Sequence, residues 1–283
     1  MNQELLTVTM HRRDQAGLTY IYPVLSRRAG GVSIGINLNL NRACNWGCVY
    51  CQVDGLTRGK PDPVDVDLLI DELSAFLAQA LSGDYLAEHV AEAEFRRLAD
   101  IAFSGDGEPT TAPEFAEVVR RVVLLMQEFG IKGHLPLRLI TNGSMVERKQ
   151  TRAGLVTLAL AGGEVWFKID RGDAAGIFAV NQTRLAPETV LRRLKLCAEI
   201  VPVWGQTCWF ARRGKEPDRA AKEHYLAFLQ QAAGFIQGIH LYGLAREPRL
   251  GEASELSRLS SEALNSWGEE IGKKTGIKVC CSP

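Results

Sequence analysis

The sequence has no excess of charge of either sign, because 33 Lys and Arg residues balance 33 Asp and Glu residues. No global electrostatic field would draw the chain to nucleic acid or to an anionic membrane, so such a partner needs a local patch. The chain also lacks a run of eighteen apolar residues, and its first residues lack a basic segment followed by an apolar one. We therefore expect a cytoplasmic protein without a membrane partner.

Internal repeats, low-complexity tracts and linkers rich in Ser or Pro are also missing, so nothing in the sequence divides the 283 residues into separate units. With 46% hydrophobic and 23% charged residues, the chain is long enough to bury a full α/β core, and disorder is excluded. We predict a single domain over residues 1–283. Its core covers about residues 32–250, with an N-terminal extension over 1–31 and a C-terminal helix and tail over 251–283.

Segments typical of strands and helices alternate along the chain, judged by the spacing of apolar residues. The predicted strands cover residues 18–24, 32–40, 100–103, 137–141, 164–169, 201–210 and 236–241, with a short edge strand at 277–280. The predicted helices cover residues 65–81, 85–98, 113–129, 187–200, 218–232 and 260–275. About six βα units with a parallel sheet follow, so the fold class is α/β and the expected architecture is an open, partial (βα)6 TIM-like barrel. Ligands of such folds bind at the carboxyl ends of the strands.

Seven cysteines, an odd number, are not typical of a secreted disulfide framework. Three of them, Cys44, Cys48 and Cys51, follow the strand predicted at 32–40 with the spacing C-x3-C-x2-C. Three thiolates on one short loop can bind a single inorganic centre. A structural zinc takes four protein ligands, whereas a [4Fe-4S] cluster held by three cysteines leaves one iron open. The alternatives are a zinc site completed by Cys280 or Cys281, or three buried thiols.

This spacing, with the aromatic Tyr50 before the third cysteine, resembles the signature of the radical S-adenosylmethionine (SAM) superfamily. The resemblance implies that Cys44, Cys48 and Cys51 hold a [4Fe-4S] cluster, and that Tyr50 lies beside the adenine of SAM. It also implies that an electron from the cluster cleaves SAM into methionine and a 5′-deoxyadenosyl radical, which abstracts a hydrogen atom from the substrate. Chemistry of this kind belongs to the cofactors, while the protein supplies positioning and excludes water.

Polar and glycine-rich turns follow the next two predicted strands. The first, Gly105-Asp106-Gly107-Glu108, would in isolation be a turn before a helix, but glycines allow a close backbone approach and a carboxylate can bind an ammonium group. It resembles the superfamily's Gly-Gly-Glu motif, which binds the SAM amino group. The second turn contains Asn142 and Ser144, which the resemblance assigns to the SAM ribose; its alternative is a plain Asn-Gly turn.

Alternation along the strand predicted at 164–169 directs Lys168 and Asp170 to the same face. Charges at a barrel mouth are costly unless they are paired or bound to a ligand. Some radical SAM enzymes have a similar pair near the SAM ribose and carboxylate, so we assign these residues to SAM; a mutual salt bridge is the alternative. Arg246 and Arg249, after the last core strand, are either anion clamps or solvated charges.

The four remaining cysteines have separate interpretations. Cys197 lies in an apolar stripe, which indicates a core residue, and Cys208 is expected to point inward from its strand. The adjacent pair Cys280 and Cys281 is our candidate for catalytic, substrate-facing thiols. It also fits a redox switch, a thiophilic metal site, or an auxiliary cluster completed by Cys208. The alternative is a terminal strand with one buried thiol.

Several motifs together resemble the wyosine-forming tRNA enzymes and their bacterial relatives: the cysteine motif, Phe-Ser-Gly-Asp-Gly-Glu-Pro-Thr, Leu-Ile-Thr-Asn-Gly-Ser and Leu-Tyr-Gly-Leu-Ala-Arg-Glu-Pro. Wyosine enzymes carry further cysteines upstream, and this chain has none before Cys44. The first sixty residues contain seven Lys or Arg and three acids, a weak basic patch, so nucleic acid is possible but not favoured. The expected partners are SAM, an electron donor such as flavodoxin or ferredoxin, and an unknown substrate. Other possibilities are an RNA-modifying enzyme, a glycyl-radical-activating enzyme, or a non-catalytic Fe-S or zinc-binding sensor or scaffold.

Overall fold

The computed structural model describes residues 5–7, 17–251 and 253–283. Part of the predicted N-terminal extension, including Arg12 and Arg13 of the basic patch, lies outside the described residues. Eight strands form the main sheet: β1 (Ile21–Ser26), β2 (Gly31–Ile36), β3 (Leu98–Phe103), β4 (Leu137–Thr141), β5 (Glu164–Lys168), β6 (Val203–Cys208), β7 (Gly238–Tyr242) and β8 (Val279–Ser282). The helices that accompany them are α1 (Val66–Leu81), α2 (Asp84–His89), α3 (Phe115–Glu128), α4 (Lys149–Leu160), α5 (Ala174–Asn181), α6 (Pro187–Ala198), α7 (Arg219–Ala232) and α8 (Ser261–Thr275).

The strands of this sheet lie side by side in the order in which they occur along the chain. Strand β1 pairs with β2 in antiparallel register, and every other neighbouring pair is parallel. Each of the strands β2 to β7 is followed by at least one helix before the next strand, which gives six βα units. The expected partial (βα)6 barrel is therefore confirmed: the sheet is curled and open, with β1 and β8 at its two edges.

The helices cover the outer face of the sheet, where the largest apolar cluster lies. Phe103 and Phe167 point from the sheet into this layer, together with Phe115 of α3. In the same cluster, Trp209, which directly follows β6, packs against Tyr225 of α7, with ring centroids 5.2 Å apart. Because one face of each strand is buried under helices, the opposite face of the same strands is left to line the interior of the barrel.

The sequence patterns place most elements correctly, but one predicted helix is too long. Residues 85–98 are expected to form one helix, whereas α2 ends at His89. Val90 is fully buried and forms a β-bridge with Leu6, so its backbone turns outward to another segment instead of continuing the helix. The Arg96 side chain then caps the Val90 carbonyl oxygen at 2.8 Å.

Two helices, α4 and α5, are not among those predicted. The apolar and polar residues of α4 are weakly segregated, and its packing depends on Gly154, where an added Cβ would lie 2.6 Å from the Phe115 ring. Helix α5 is only eight residues long. Its N-cap residue is Asp173, whose side chain accepts a hydrogen bond from the Gly176 backbone N–H. Both helices therefore depend on contacts that are not visible as a periodic pattern.

Among the described residues, no helix has both the length and the apolarity required to cross a lipid bilayer.

Candidate active site

The cysteine loop lies at the carboxyl edge of the sheet, beyond the end of β2, as the strand-end rule predicts. Its residues Ala43 and Cys44 form a short parallel pair with Thr57 and Arg58. On the other side, the backbone N–H of Gly47 donates to the carbonyl of the last residue of α5, Asn181, at 3.2 Å. The loop is therefore held between its own return segment and the C-terminus of a helix.

Further contacts fix the loop from other strand ends. The Asn45 amide accepts a hydrogen bond from Asn142 at 2.9 Å and donates one to Ser144 at 2.7 Å. After β7, the Arg249 backbone N–H donates to the Cys51 carbonyl at 2.8 Å. Asn142 and Ser144, which the sequence assigned to the SAM ribose, thus contact the cysteine loop directly; their ribose contacts stay a prediction.

All three motif cysteines are free thiols and partly buried. Burial raises the pKa of Cys44 to about 11 and, together with the nearby Asp170 carboxylate, that of Cys48 to about 12. A bound metal centre stabilises thiolates that burial would otherwise disfavour. The Asn181 side chain donates to the Cys48 sulfur at 3.3 Å, and the Trp46 backbone N–H donates to the Cys44 sulfur at 3.4 Å.

These cysteines fit a [4Fe-4S] cluster better than one zinc ion. Ligands of a single zinc all approach the ion to about 2.3 Å, which requires their sulfurs to be grouped closely. In the part of the chain that the structure describes, no three His, Cys, Asp or Glu side chains are grouped tightly enough to hold one ion. Thiolates that bind three different irons of one cluster do not need that proximity.

The glycine-rich turn after β3 packs directly beneath the cysteine loop. An added Cβ at Gly107 would lie 2.2 Å from the Ala43 carbonyl oxygen, and one at Gly105 would lie 2.3 Å from the Asn37 side-chain oxygen. Gly105 also has a φ of +149°, in the range that favours glycine. Asn37 fixes the turn further, because it donates to the Asp106 carboxylate at 2.6 Å and accepts from the Asp106 N–H at 3.0 Å.

Glu108 is 3% exposed, and its carboxylate joins the turn to the end of β4. One oxygen accepts from the Thr141 hydroxyl at 2.5 Å and from Thr110, and the other accepts from the Asn142 backbone N–H at 2.6 Å. Burial raises the pKa of Glu108, and these hydrogen bonds oppose that rise. The second oxygen keeps one acceptor position, so its contact with the SAM amino group stays a prediction.

Asp170 is the centre of a buried polar network at the end of β5. Its carboxylate accepts from the Tyr50 hydroxyl at 2.5 Å, from Asn181 at 2.7 Å and from the Cys208 backbone N–H at 2.9 Å. The Lys168 ammonium lies 3.7 Å from this carboxylate, so the two residues form the mutual salt bridge that the sequence offered as the alternative to SAM binding. The role of both residues in binding SAM stays a prediction.

The Lys168 ammonium also has two aromatic neighbours. It donates to the Tyr242 hydroxyl at 2.5 Å and lies 4.7 Å from the centre of the Tyr50 ring. Burial is the largest single influence and lowers the pKa of Lys168, but the Asp170 carboxylate, together with Tyr242, Cys48 and Cys208, raises it above its usual value. Lys168 is therefore a buried, charged group directly beside the tyrosine of the cysteine motif.

A cavity of about 300 Å³ begins at this network and extends into the barrel. At the upper end it is lined by Tyr50, Cys51, Gly105 and Gly107. Cys208 lines it as well, which agrees with the inward direction expected for this residue. The volume is in the range of small-molecule binding sites.

Cys280 and Cys281 are not among the described residues that line this cavity. Cys281 packs against α8, where a Cβ on Gly268 would lie 2.3 Å from its sulfur. Cys280 points to the opposite face of β8 from Cys281. Ser282, the next residue on the same face as Cys280, lines the cavity. A catalytic role for Cys280 and Cys281 stays a prediction without support from the lining. Cys197 is a fully buried core residue, as expected.

Sequence reasoning missed Asn45, Asn181 and Tyr242 as parts of the site. Asn45 is adjacent to Cys44, so its position in the motif was a usable signal. Asn181 belongs to a helix that the sequence does not predict, and Tyr242 reaches the site only through pairing of β7 with β6.

Comparison with known proteins identifies the fold. A radical SAM methyltransferase from Sphaerobacter thermophilus superposes with a TM-score of 0.60 over 93% of this chain and 68% of that chain, at 14% identity. A structure described as tagged anSMEcpe with bound AdoMet gives a TM-score of 0.50 over 87% of this chain and 62% of that one, at 15% identity. Similarity at this level of identity concerns the fold alone.

Curated relatives are similar over part of their length. The UPF0026 protein MJ1312 of Methanocaldococcus jannaschii is 30% identical over 151 residues, which cover 53% of this chain and 40% of that protein. A protein named GTPase Obg from Brachyspira hyodysenteriae is 27% identical over 137 residues, or 47% of this chain and 17% of that protein. The chain thus matches less than half the length of either relative. The expected wyosine-like subgroup is not confirmed.

The family comparison matches residues 38–208 to the Radical SAM superfamily. This segment covers more than half of the chain and includes the cysteine loop, the glycine-rich turn and the network around Asp170. The chain therefore belongs to the radical SAM superfamily, whose enzymes use a [4Fe-4S] cluster and S-adenosylmethionine.

Proposed function

We propose that this protein cleaves SAM reductively and abstracts a hydrogen atom from a substrate that is not yet identified. The observation that carries the proposal is the position of the three free cysteines at the carboxyl edge of the barrel, where Cys51 lines the cavity. Residues 32–250 would form the catalytic core, with the β1 hairpin and the α8–β8 segment as additions at the two edges.

In this proposal Cys44, Cys48 and Cys51 hold the cluster. When bound, the cluster supplies the electron that splits SAM into methionine and a 5′-deoxyadenosyl radical. The chain keeps the loop rigid through its contacts with Asn45 and Asn181, so that the ligating sulfurs stay in place. Rigid positioning of reacting groups is the main contribution that a protein makes to cofactor chemistry.

The backbone from Gly105 to Gly107 is the proposed contact for the SAM amino group, since two glycines of this turn line the cavity. Glu108 would hold the turn against β4 and offer its remaining acceptor position to the same ammonium. Tyr50 lines the cavity, whereas Lys168 and Asp170 contact Tyr50 without lining the cavity themselves. We assign these three residues to the adenosine and carboxylate of SAM.

A soluble electron donor such as flavodoxin or ferredoxin is the proposed source of the electron. Membership of the wyosine-like subgroup and a nucleic-acid substrate stay predictions. The second candidate function is a non-catalytic Fe-S sensor or scaffold, which needs the same cysteine loop but no turnover of SAM.

Anaerobic reconstitution with iron and sulfide tests the proposal. We expect about four irons per chain and release of 5′-deoxyadenosine when dithionite and SAM are added. Cys48→Ala is expected to abolish release, and Cys197→Ala, which changes a core cysteine outside the site, is the matched control. A full cluster without 5′-deoxyadenosine would favour the sensor, and one zinc per chain without iron would contradict the cluster itself.

A further inference from the structure

Three arginines line the lower part of the cavity. Arg27, Arg28 and Arg138 border the lower part, whereas Arg246 borders the upper end, where it donates to Gln52. Asp100 is the one acidic residue in the described lining. Asp100 is already engaged, because its carboxylate accepts hydrogen bonds from Ser33 and Arg138. Arg138 is also paired with Glu164, so both carboxylates belong to Arg138 and neither of them forms an ion pair with Arg28.

Arg28 has a buried nitrogen without a hydrogen-bond partner among the described residues. Its guanidinium stacks over the rings of Tyr242 and Trp166, 4.6 Å and 5.4 Å from their centres. The Nη1 atom is buried and makes no hydrogen bond to any residue that the structure describes. A buried guanidinium N–H without an acceptor is costly, and a carboxylate or phosphate supplies the planar set of acceptors that it fits.

A second buried donor without a partner in the described part of the chain lies on β6, although its residue does not line the cavity. The Nε2 atom of Gln206 is buried and unpaired, and this residue is 2% exposed. Gln206 of β6 pairs with Lys168 of β5 on one side and with His240 of β7 on the other. These two strands also carry Trp166 and Tyr242. It has the same direction as Cys208, which lines the cavity. Of these two donors only that of Arg28 borders the cavity, and it indicates a ligand with oxygen acceptors.

The backbone of Arg28 and the cysteine loop lie at opposite ends of β2. Arg28 lies in the turn before β2, whereas the cysteine loop follows the same strand. Six residues of extended strand span about 20 Å, so the two backbone positions are at opposite ends of the barrel. Arg28 therefore enters the cavity from the end opposite the cysteine loop, and its guanidinium reaches the ring of Tyr242, whose hydroxyl binds Lys168.

We propose that Arg28, stacked between Trp166 and Tyr242, binds a carboxylate or phosphate group of the substrate. The inference rests on the proposed function and assigns the substrate to the class of small anionic molecules. The arginine would hold the anionic end of the substrate while the rest of the molecule extends upward toward the SAM site.

The test uses the reconstituted, SAM-bound enzyme at constant ionic strength, with inorganic phosphate and succinate as probes and calorimetry as the readout. We expect saturable binding of at least one probe, weakened about tenfold or more by Arg28→Gln and less by Arg28→Lys. Arg219→Gln, which changes a 93% exposed arginine on α7, is the control and should leave binding unchanged. The affinity for SAM should be the same in all four proteins.

A second measurement needs no variant. Phenylglyoxal modification of the wild-type enzyme, followed by peptide mass spectrometry, should slow at Arg28 when the bound probe is present and stay constant at Arg219. The proposal is overturned if neither probe saturates, or if Arg28→Gln binds both probes as the wild type does. It is also overturned if the variant loses SAM affinity while probe binding is unchanged, because Arg28 would then hold the SAM carboxylate. None of these readouts requires SAM cleavage, so failure of the proposed function is detected separately by the 5′-deoxyadenosine assay.

Discussion

Replacing Asp170 with Asn removes the only charge that faces the buried Lys168 ammonium within the network described above. The Asp170 side chain is fully buried and that of Lys168 is 13% exposed. An Asn at this position keeps one acceptor oxygen, but its new amide N–H group faces the Cys208 backbone N–H or the Tyr50 hydroxyl. The change therefore leaves a buried cation without a counter-ion and one buried donor without an acceptor.

The cost follows from these two losses. Removing one partner of a buried ion pair destabilises a protein by about 3–5 kcal/mol, and an unsatisfied buried donor costs roughly 1–3 kcal/mol when it is counted alone. The two effects overlap, so we expect a loss of about 4 kcal/mol in the free energy of unfolding. For a domain of this size, each kcal/mol lowers Tm by about 2–4 °C, which predicts a decrease of roughly 10 °C.

Urea denaturation followed by circular dichroism measures the free energy, and a thermal scan measures Tm. The matched control is Glu117→Gln, which breaks a surface pair with Arg120 at 2.6 Å. Exposed pairs contribute less than about 1 kcal/mol, so this control should unfold nearly as the wild type does. Adding Lys168→Met to Asp170→Asn should recover part of the loss, because the uncompensated charge is then gone. The reasoning is refuted if Asp170→Asn costs no more than the surface control.

Three further predictions concern the cysteine loop and the interior of the barrel. Gly107→Ala places a Cβ against the Ala43 carbonyl, so we expect a lower iron content per chain after reconstitution. Asn181→Leu removes the N–H donor to the Cys48 sulfur, so the reduction potential of the cluster, measured by a redox titration followed by electron paramagnetic resonance, should become more negative. His240 has its pKa lowered to about 4 by burial first and by neighbouring positive charge second. Its protonation opposes folding, so stability should be complete above about pH 6.5 and fall as the pH decreases toward 4, by up to about 3 kcal/mol.

Each of these predictions has a control in the chain. Gly59→Ala adds a Cβ at an ordinary distance of 3.8 Å from Ala43 and should leave the iron content unchanged. Gln182→Leu changes the residue after Asn181. The Gln182 side-chain amide donates only to carbonyls of the preceding helix among the contacts described, so the reduction potential of the cluster should not change. His240→Phe should remove the part of the acid sensitivity that is due to this residue. Equal acid sensitivity in His240→Phe and the wild type would contradict the assignment.

The parts of the site that the sequence predicts are those encoded by neighbouring residues. The cysteine spacing is local, and alternation along one strand is enough to place Lys168 beside Asp170, which are 3.7 Å apart. Glu108 is recognisable from its turn, but its partners Thr141 and Asn142 could not be derived, because they belong to the next strand and the turn that follows it. Local pattern thus identifies the residues, while the contacts depend on how neighbouring strands pair.

Contacts between distant segments account for what the sequence does not predict. Helix α2 ends early because Val90 pairs with Leu6, and Arg28 is a cavity residue because the β1–β2 turn folds against β5 and β7. Neither effect has a periodic signature, since each depends on which surfaces meet after the sheet has curled. The same holds for Cys281, whose burial against Gly268 requires that β8 pairs with β7.

The edges of the open sheet explain why a substrate site should lie where the arginines are. Six βα units do not close a barrel with strand pairing, so the interior stays accessible along one side. In this chain that side is narrowed by side chains instead: Arg27, in the turn before β2, donates to the Pro283 carbonyl beyond the opposite edge strand. The residue next to it, Arg28, then covers the Tyr242 ring. The contact that joins the two edges thus also places a cation over the cavity, so variants that change the substrate class should map to this turn and to β8 before they map to the cysteine loop.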